Sequence, residues 1–86
     1  MAKQSTTTPP RALSGSRRAV LSCIVAYVAR HGYPPTLREI QRELEISSIS
    51  VVAHHLDALQ DAGYLRRSPK ISRSIVVLPL AYRVWR

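Results

Sequence analysis

The sequence contains few of the residues from which catalytic and metal sites are built. Its 86 residues include one cysteine, three glycines and five acidic residues, against thirteen Lys and Arg. The single Cys23 allows no internal disulfide and no cysteine metal cluster, so we interpret it as a reduced core residue. There is no HExxH motif, no Gly-rich phosphate loop and no spacing of nucleophile and base. We therefore expect no enzyme activity, no cofactor and no bound metal.

Long apolar segments are absent as well. The longest apolar run, Ile75 to Ala81, is far shorter than the ~20 residues that a membrane-spanning helix needs. Met1 to Pro10 lack the apolar centre of a signal peptide, which predicts a cytoplasmic protein. These residues are rich in Thr and Pro, a composition that does not pack, and we predict a disordered N-terminal arm over residues 1–11.

The charge balance is the clearest indication of a partner. The formal net charge is +8, and the basic residues are spread along the chain rather than confined to a tail. This surplus favours a polyanionic partner, with nucleic acid ahead of an anionic membrane surface. A basic protein that is merely soluble is the alternative. At this length the chain forms one small domain with a thin core, burying only ~60% of its unfolded surface.

Two helices are predicted in the first half of the chain. The first begins at a cap on Ser14 or Ser16 and ends before Gly32, a residue suited to a helix C-terminus. Pro34 and Pro35 then force residues 32–35 out of the helical conformation, and we call this segment the elbow. The second helix begins at the capping box Thr36-Leu37-Arg38-Glu39 and ends near Leu44.

The stretch from Ser48 to Ala62 predicts a third helix, around which the rest is organised. Ser48 is a good N-cap, and Val52, Leu56 and Leu59 repeat at helical spacing. The exposed face near its start carries small or hydrogen-bonding groups: Ser48, Ser50, Val51, Ala53 and His54. A short helix, a tight turn and such a longer helix describe a helix-turn-helix, although adjacent helices in any small bundle can look alike.

The pattern changes from helix to strand after Gly63. Residues 64–67 and 73–77 predict two short strands, joined by the turn-forming residues 68–72. A basic hairpin that follows a helix-turn-helix is a wing, which commonly lies along a phosphate strand. The predicted fold class is mainly α with a small β-hairpin. It is a winged helix-turn-helix over residues 12–78, with three helices and a two- or three-stranded wing.

Two further features of the third helix affect whether it can bind in a DNA groove. Asp57 and Asp61 share its exposed face, and we expect them to be surface charges paired with Arg66 or Arg67. For the adjacent histidines we favour one exposed and one packed side chain, and a pH-sensitive contact through His54 is the alternative hypothesis.

The C-terminal tail, residues 79–86, is too apolar to be a simple solvated end. Two interpretations remain open. The tail covers the apolar back of the first helix, or it supplies a homodimer contact that places two recognition helices ~34 Å apart on a palindromic site.

Several of these residues together resemble a known family. The run Tyr33-Pro34-Pro35-Thr36-Leu37-Arg38-Glu39-Ile40 is the most specific part. Further matches are Leu44, Ser48, His55, Leu56, Ala58, Leu59, Gly63, Ser72 and Arg73. From about Ala12 to Leu78 the chain resembles the DNA-binding domain of LexA-type repressors. The resemblance implies double-stranded DNA as the partner and base contacts from Ser48, Ser50, Val51, Ala53 and His54.

Phosphate contacts are assigned to basic residues that a winged helix places around one surface. They are Arg17, Arg18, Arg38, Lys70 and Arg73, and Thr36 at the start of the second helix is assigned to the same interface. Affinity is expected from these residues and specificity from the start of the third helix.

The sequence also departs from the family pattern. LexA repressors continue into a self-cleaving peptidase domain that also carries their dimer contact. The resemblance covers only their DNA-binding domain, so it implies neither self-cleavage nor that dimer contact for this chain. Glu45 stands where the family has glycine in the turn, which costs about 1 kcal/mol if a left-handed conformation is needed there. Ser74 replaces another glycine in the wing, and the recognition positions differ, so we expect a different operator.

The sequence thus predicts a sequence-specific, double-stranded DNA-binding transcriptional regulator, most simply a repressor. A protein-docking winged-helix module and a nonspecific architectural DNA-binding protein are the alternatives.

Overall fold

Four helices and one hairpin make up the fold. The computed structural model describes residues 15–84. In chain order, its elements are α1 (Gly15–His31), α2 (Leu37–Leu44), α3 (Ile49–Asp61), β1 (Leu65–Arg66), β2 (Val76–Val77) and α4 (Pro79–Val84). The strands pair antiparallel, with Leu65 opposite Val77. The predicted winged helix-turn-helix is confirmed, whereas the N-terminal arm and the Ser14 cap lie outside the described residues.

The core lies where α1, α2 and α3 pack against one another and against the hairpin. Its buried apolar residues are Val20, Leu21, Ile24, Ile40, Val52, Leu56, Leu59, Tyr64, Leu65, Ile75 and Ala81. The predicted stripe of the third helix, Val52, Leu56 and Leu59, is fully buried. Cys23 is half-buried against this core, and burial, followed by the charge of Glu43, raises the pKa of its thiol.

A left-handed residue follows the end of each of the first three helices. Gly32 (φ 83°) and Gly63 (φ 90°) adopt this conformation without the Cβ clash that other residues meet. At the end of α2 the left-handed residue is Glu45, with φ 53° and ψ 44°. Its amide donates to the Arg42 carbonyl (3.4 Å), and the Ile46 amide donates to the Gln41 carbonyl (3.0 Å). This is the Schellman arrangement, and it confirms that the turn requires the conformation glycine favours.

The strands of the wing are shorter than predicted. At Arg67 and Ser68, where a longer strand was expected, the backbone amides donate to side chains instead of to the opposite strand. The Arg67 amide donates to the Gln60 side chain (3.3 Å), and the Ser68 amide donates to Ser74 Oγ (2.9 Å). The Ser74 hydroxyl in turn donates to the Ser68 carbonyl (2.8 Å). The predicted alternation of buried and exposed side chains is present at the start of β2, since Ile75 is buried and Val76 is exposed.

The C-terminal tail forms a helix that the sequence reasoning missed. Proline suits the first position of a helix, and Pro79 begins α4. Ala81 is buried, and Leu80 packs against the core near Gly63. The inner side of this segment therefore belongs to the domain, while Tyr82 is 46% exposed. Leu80 lies beside the end of α3, and the expected cover over the back of the first helix stays a prediction.

Candidate nucleic-acid interface

The start of α3 is the exposed end of the helix-turn-helix. Ser48 caps it, because its Oγ accepts from the Val51 amide (3.3 Å). Ser50, Val51 and His54 are exposed, and Ala53 is half-buried. There is no acidic residue in the first turn. The five predicted base-reading residues therefore all lie in the N-terminal half of α3 or at its cap, and none of them is buried.

A groove runs between the start of α2 and the wing, beside this face. Its volume is about 340 Å³. Thr36, Arg38, Ile49, Lys70 and Ile71 are among its lining residues. Since Ile49 is the first residue of α3, the groove opens directly next to the predicted base-reading residues. The fold thus brings Thr36, Arg38 and Lys70 together with the start of α3.

Arg38 and Lys70 are two cations of this groove. Both side chains are exposed, and neither makes a hydrogen bond or ion pair with another residue of the described range 15–84. The Thr36 hydroxyl oxygen accepts from the Glu39 amide (3.1 Å), which leaves its own proton available to donate. Two cations and a hydroxyl donor in one groove suit an anionic backbone.

Arg17 and Arg18 lie in the first turn of α1 and do not line the groove. Both have interactions within the protein. Burial lowers the pKa of His55, and the charges of Arg17 and His54 lower it further. Arg17 therefore lies near α3, at the packed side of that helix. The expected pair of one exposed and one packed histidine is confirmed, with His54 exposed and His55 partly buried.

Arg73 occupies a position that sequence reasoning did not foresee. Its two terminal nitrogens each lie 2.9 Å from a different carboxylate oxygen of Glu39. Nη1 also donates to the Pro34 carbonyl (3.0 Å) and approaches the Tyr27 hydroxyl (3.4 Å). The guanidinium carbon lies 4.9 Å from the Tyr33 ring centre. The predicted phosphate ligand thus has both terminal nitrogens hydrogen-bonded within the protein. No local sequence pattern links Arg73 to Glu39, which lies 34 positions away.

Asp57 has the partner that the sequence suggested. Arg67 Nη2 lies 3.2 Å from Asp57 Oδ1, so a carboxylate on the exposed face of α3 is paired with a cation at the base of the wing. The carboxylate remains 68% exposed, whereas the Arg67 side chain is 7% exposed. Pairing of this kind reduces the repulsion that Asp57 would exert on a nearby phosphate.

Within 15–84 no group of three His, Cys, Asp or Glu side chains could hold a metal ion. No helix in that part of the chain is long and apolar enough to span a bilayer.

Comparison with known proteins gives one consistent result. Residues 10–74 match the family model of the LexA DNA binding domain. LexA repressor 2 of Geobacter sulfurreducens is 51% identical over 65 residues, which are 76% of this chain and 32% of the relative. The LexA repressor of Roseiflexus sp. is 46% identical over 65 residues, 76% of this chain and 30% of the relative. That of Frankia alni is 47% identical over 66 residues, 77% of this chain and 26% of the relative.

The chain spans about a third or less of the length of these relatives. The similarity covers α1, the helix-turn-helix and the wing up to Ser74, which are the elements that build the interface described above. On the matched region, the chain belongs to the LexA DNA-binding domain family.

Proposed function

We propose that the protein is a sequence-specific, double-stranded DNA-binding transcriptional repressor that acts without catalysis in the cytoplasm. The observation that carries this proposal is the exposed start of α3 next to a groove lined by Arg38 and Lys70. Relatives named as LexA repressors support the regulatory role. Repression then follows from occupying an operator and excluding polymerase.

Base reading is assigned to the exposed start of α3, which enters the major groove in this motif. Ser50 and His54 can exchange hydrogen bonds with base edges, and Val51, 37% exposed, can contact a thymine methyl group. Ser48 and Ala53 allow close approach. We assign phosphate contacts to Thr36, Arg38 and Lys70 in the groove, and to Arg17 and Arg18 at the start of α1.

The test is a salt titration of binding to random duplex DNA, followed by selection of preferred sites from a random pool. With roughly 4–6 phosphate contacts, the slope of log K against log salt is expected near −4 to −5. An enriched site supports a sequence-specific repressor. A steep slope without an enriched site indicates an architectural protein, and absence of binding at low salt redirects attention to a protein partner.

Single variants test the assignment of residues. Arg38→Gln and Lys70→Gln should each make the salt slope about one unit shallower at every sequence. Arg42→Gln is the matched control, because Arg42 lines the separate groove between α1 and α2. Ser50→Ala and His54→Ala should change the selected sequence, with unchanged salt slopes. If Arg42→Gln weakens binding as much as Arg38→Gln, the interface has been placed on the wrong face.

We also propose that the protein binds as a homodimer through the outer face of α4. Tyr82 is exposed there, while Ala81 on the same helix is buried. Tyr82→Ser therefore removes the outer contact and leaves the inner packing intact. The variant should sediment as a monomer and prefer isolated half-sites. If it sediments and binds as the unaltered chain does, α4 is a structural helix of the monomer.

A further inference from the structure

The guanidinium of Arg73 joins three parts of the fold. It contacts Glu39 of α2, the Pro34 carbonyl of the elbow before α2, and the Tyr27 hydroxyl of α1. We propose that Arg73 is a positioning residue, a latch that holds the wing against the start of α2 and thereby sets the width of the groove for duplex DNA. This inference rests on the proposed DNA-binding function.

Both terminal nitrogens of Arg73 already have acceptors within the protein, while the side chain as a whole is 38% exposed. Both terminal nitrogens contact the Glu39 carboxylate, and the planar group lies over the Tyr33 ring. This bidentate geometry matches a carboxylate as well as it would match a phosphate. A phosphate could receive this same bidentate pair of hydrogen bonds only by displacing Glu39, so we assign the pair to positioning the wing.

Glu39 connects the latch to the helix-turn-helix. Its Oε1 accepts from the Thr36 amide (2.8 Å) as well as from Arg73 Nη1 (2.9 Å). The Arg73 hydrogen bonds, followed by the Thr36 amide, lower the pKa of this carboxyl to about 2. One carboxylate therefore fixes both the first turn of α2 and the returning end of the wing loop.

The base of the wing is held by the buried Leu65 and Ile75 and by the Arg67–Asp57 ion pair, whereas its tip, residues 69–72, is exposed. The ladder of the wing consists of two residue pairs. The loop between the strands contains Ile71, which is 63% exposed, and Arg73 itself has a left-handed backbone with φ 56°. A two-stranded hairpin of this length is not stable alone. Loss of the latch should thus let the tip, with Lys70, move away from the groove.

The latch gives Glu39→Gln an effect opposite to that of simple electrostatics. The substitution removes a negative charge, which by itself favours binding to DNA. A Gln at this position still completes the capping box, so α2 should form normally. If Arg73 is a latch, Glu39→Gln should weaken DNA binding about three- to tenfold, the size of one lost hydrogen-bonded contact. Glu43→Gln, the same charge change on the same helix, should leave affinity unchanged or slightly higher.

Arg73→Lys separates the latch from a phosphate ligand. Lysine supplies a positive charge to phosphate but cannot reproduce the bidentate, stacked geometry. The latch therefore predicts that Arg73→Lys loses nearly as much affinity as Arg73→Gln, and that adding Glu39→Gln to Arg73→Gln costs nothing further. Affinity close to that of the unaltered chain for Arg73→Lys, or equal or tighter binding by Glu39→Gln, overturns the proposal.

Amide hydrogen exchange on the protein alone tests the latch separately from DNA binding. In Glu39→Gln the amides of residues 68–74 should exchange faster, while those of α3 remain as protected as in the unaltered chain. Unchanged exchange in the wing refutes the latch even if the protein binds DNA. Faster exchange in the wing, in a protein that binds no DNA, supports the latch and refutes the proposed function.

Discussion

Replacing Glu45 by glycine should stabilise the domain. Glu45 has φ 53° and ψ 44° at the turn between α2 and α3, where its backbone completes a Schellman arrangement. A residue with a Cβ pays about 1–2 kcal/mol in this region, whereas glycine loses an extra 0.5–1 kcal/mol or so of chain entropy on folding. The net gain in unfolding free energy is thus about 0.5–1 kcal/mol, which raises Tm by about 2–8 °C for a domain of this size.

Urea and thermal unfolding of Glu45→Gly measure this gain. Glu45→Ala is the control for charge, because it removes the carboxylate and keeps the Cβ, and it should give little of the gain. Glu43→Gly is the control for position. It makes the same substitution inside α2 and should lower the unfolding free energy by about 1 kcal/mol. If Glu45→Gly does not stabilise the protein, or Glu45→Ala does so equally, the strain at the turn has been misjudged.

Three further predictions concern acid stability, the helix cap and the tail. Because the folded-state pKa of Glu39 lies near 2, below its ordinary value of 4.5, its stabilising effect is complete above pH 4.5 and is lost as the pH falls toward 2. Glu39→Gln should flatten the fall in unfolding free energy over that window in acid urea titrations. Ser48→Ala should cost about 1 kcal/mol in urea unfolding, and Ser48→Asp should keep stability yet weaken DNA binding in a fluorescence titration. Removal of residues 79–86 should lower Tm as well as affinity, since α4 contributes to the core; unchanged Tm would contradict this.

Local sequence signals were sufficient for the first three helices of the fold. The capping box at Thr36 and Glu39 is present with both of its hydrogen bonds. Ser48 caps α3, and Gly63 follows its end in a left-handed conformation. These features depend on residues within a few positions of one another. Their geometry is therefore encoded in the sequence pattern itself.

Features that depend on distant residues were not accessible in this way. The two strands are shorter than expected because Gln60 and Ser74 side chains take over backbone hydrogen bonds. The helix that begins at Pro79 was not predicted, since the apolar residues of the tail were interpreted only as a cover for the first helix or as a dimer contact. The contact of Arg73 with Glu39 spans 34 positions and exists only once the wing has folded back onto α2.

The same contact changes how the positive charge of the protein should be understood. The sequence suggests that thirteen basic residues serve a polyanion, yet Arg67 is paired with Asp57 and Arg73 with Glu39. Those two ion pairs join the wing to α3 and to α2, so their cations hold the interface in shape. The groove cations that remain for phosphate are Arg38 and Lys70. Positive charge on this protein therefore has two roles, which are to hold the interface in shape and to contact phosphate. Substitution of an arginine by lysine distinguishes the two, because lysine can contact a phosphate but cannot replace a bidentate, stacked guanidinium.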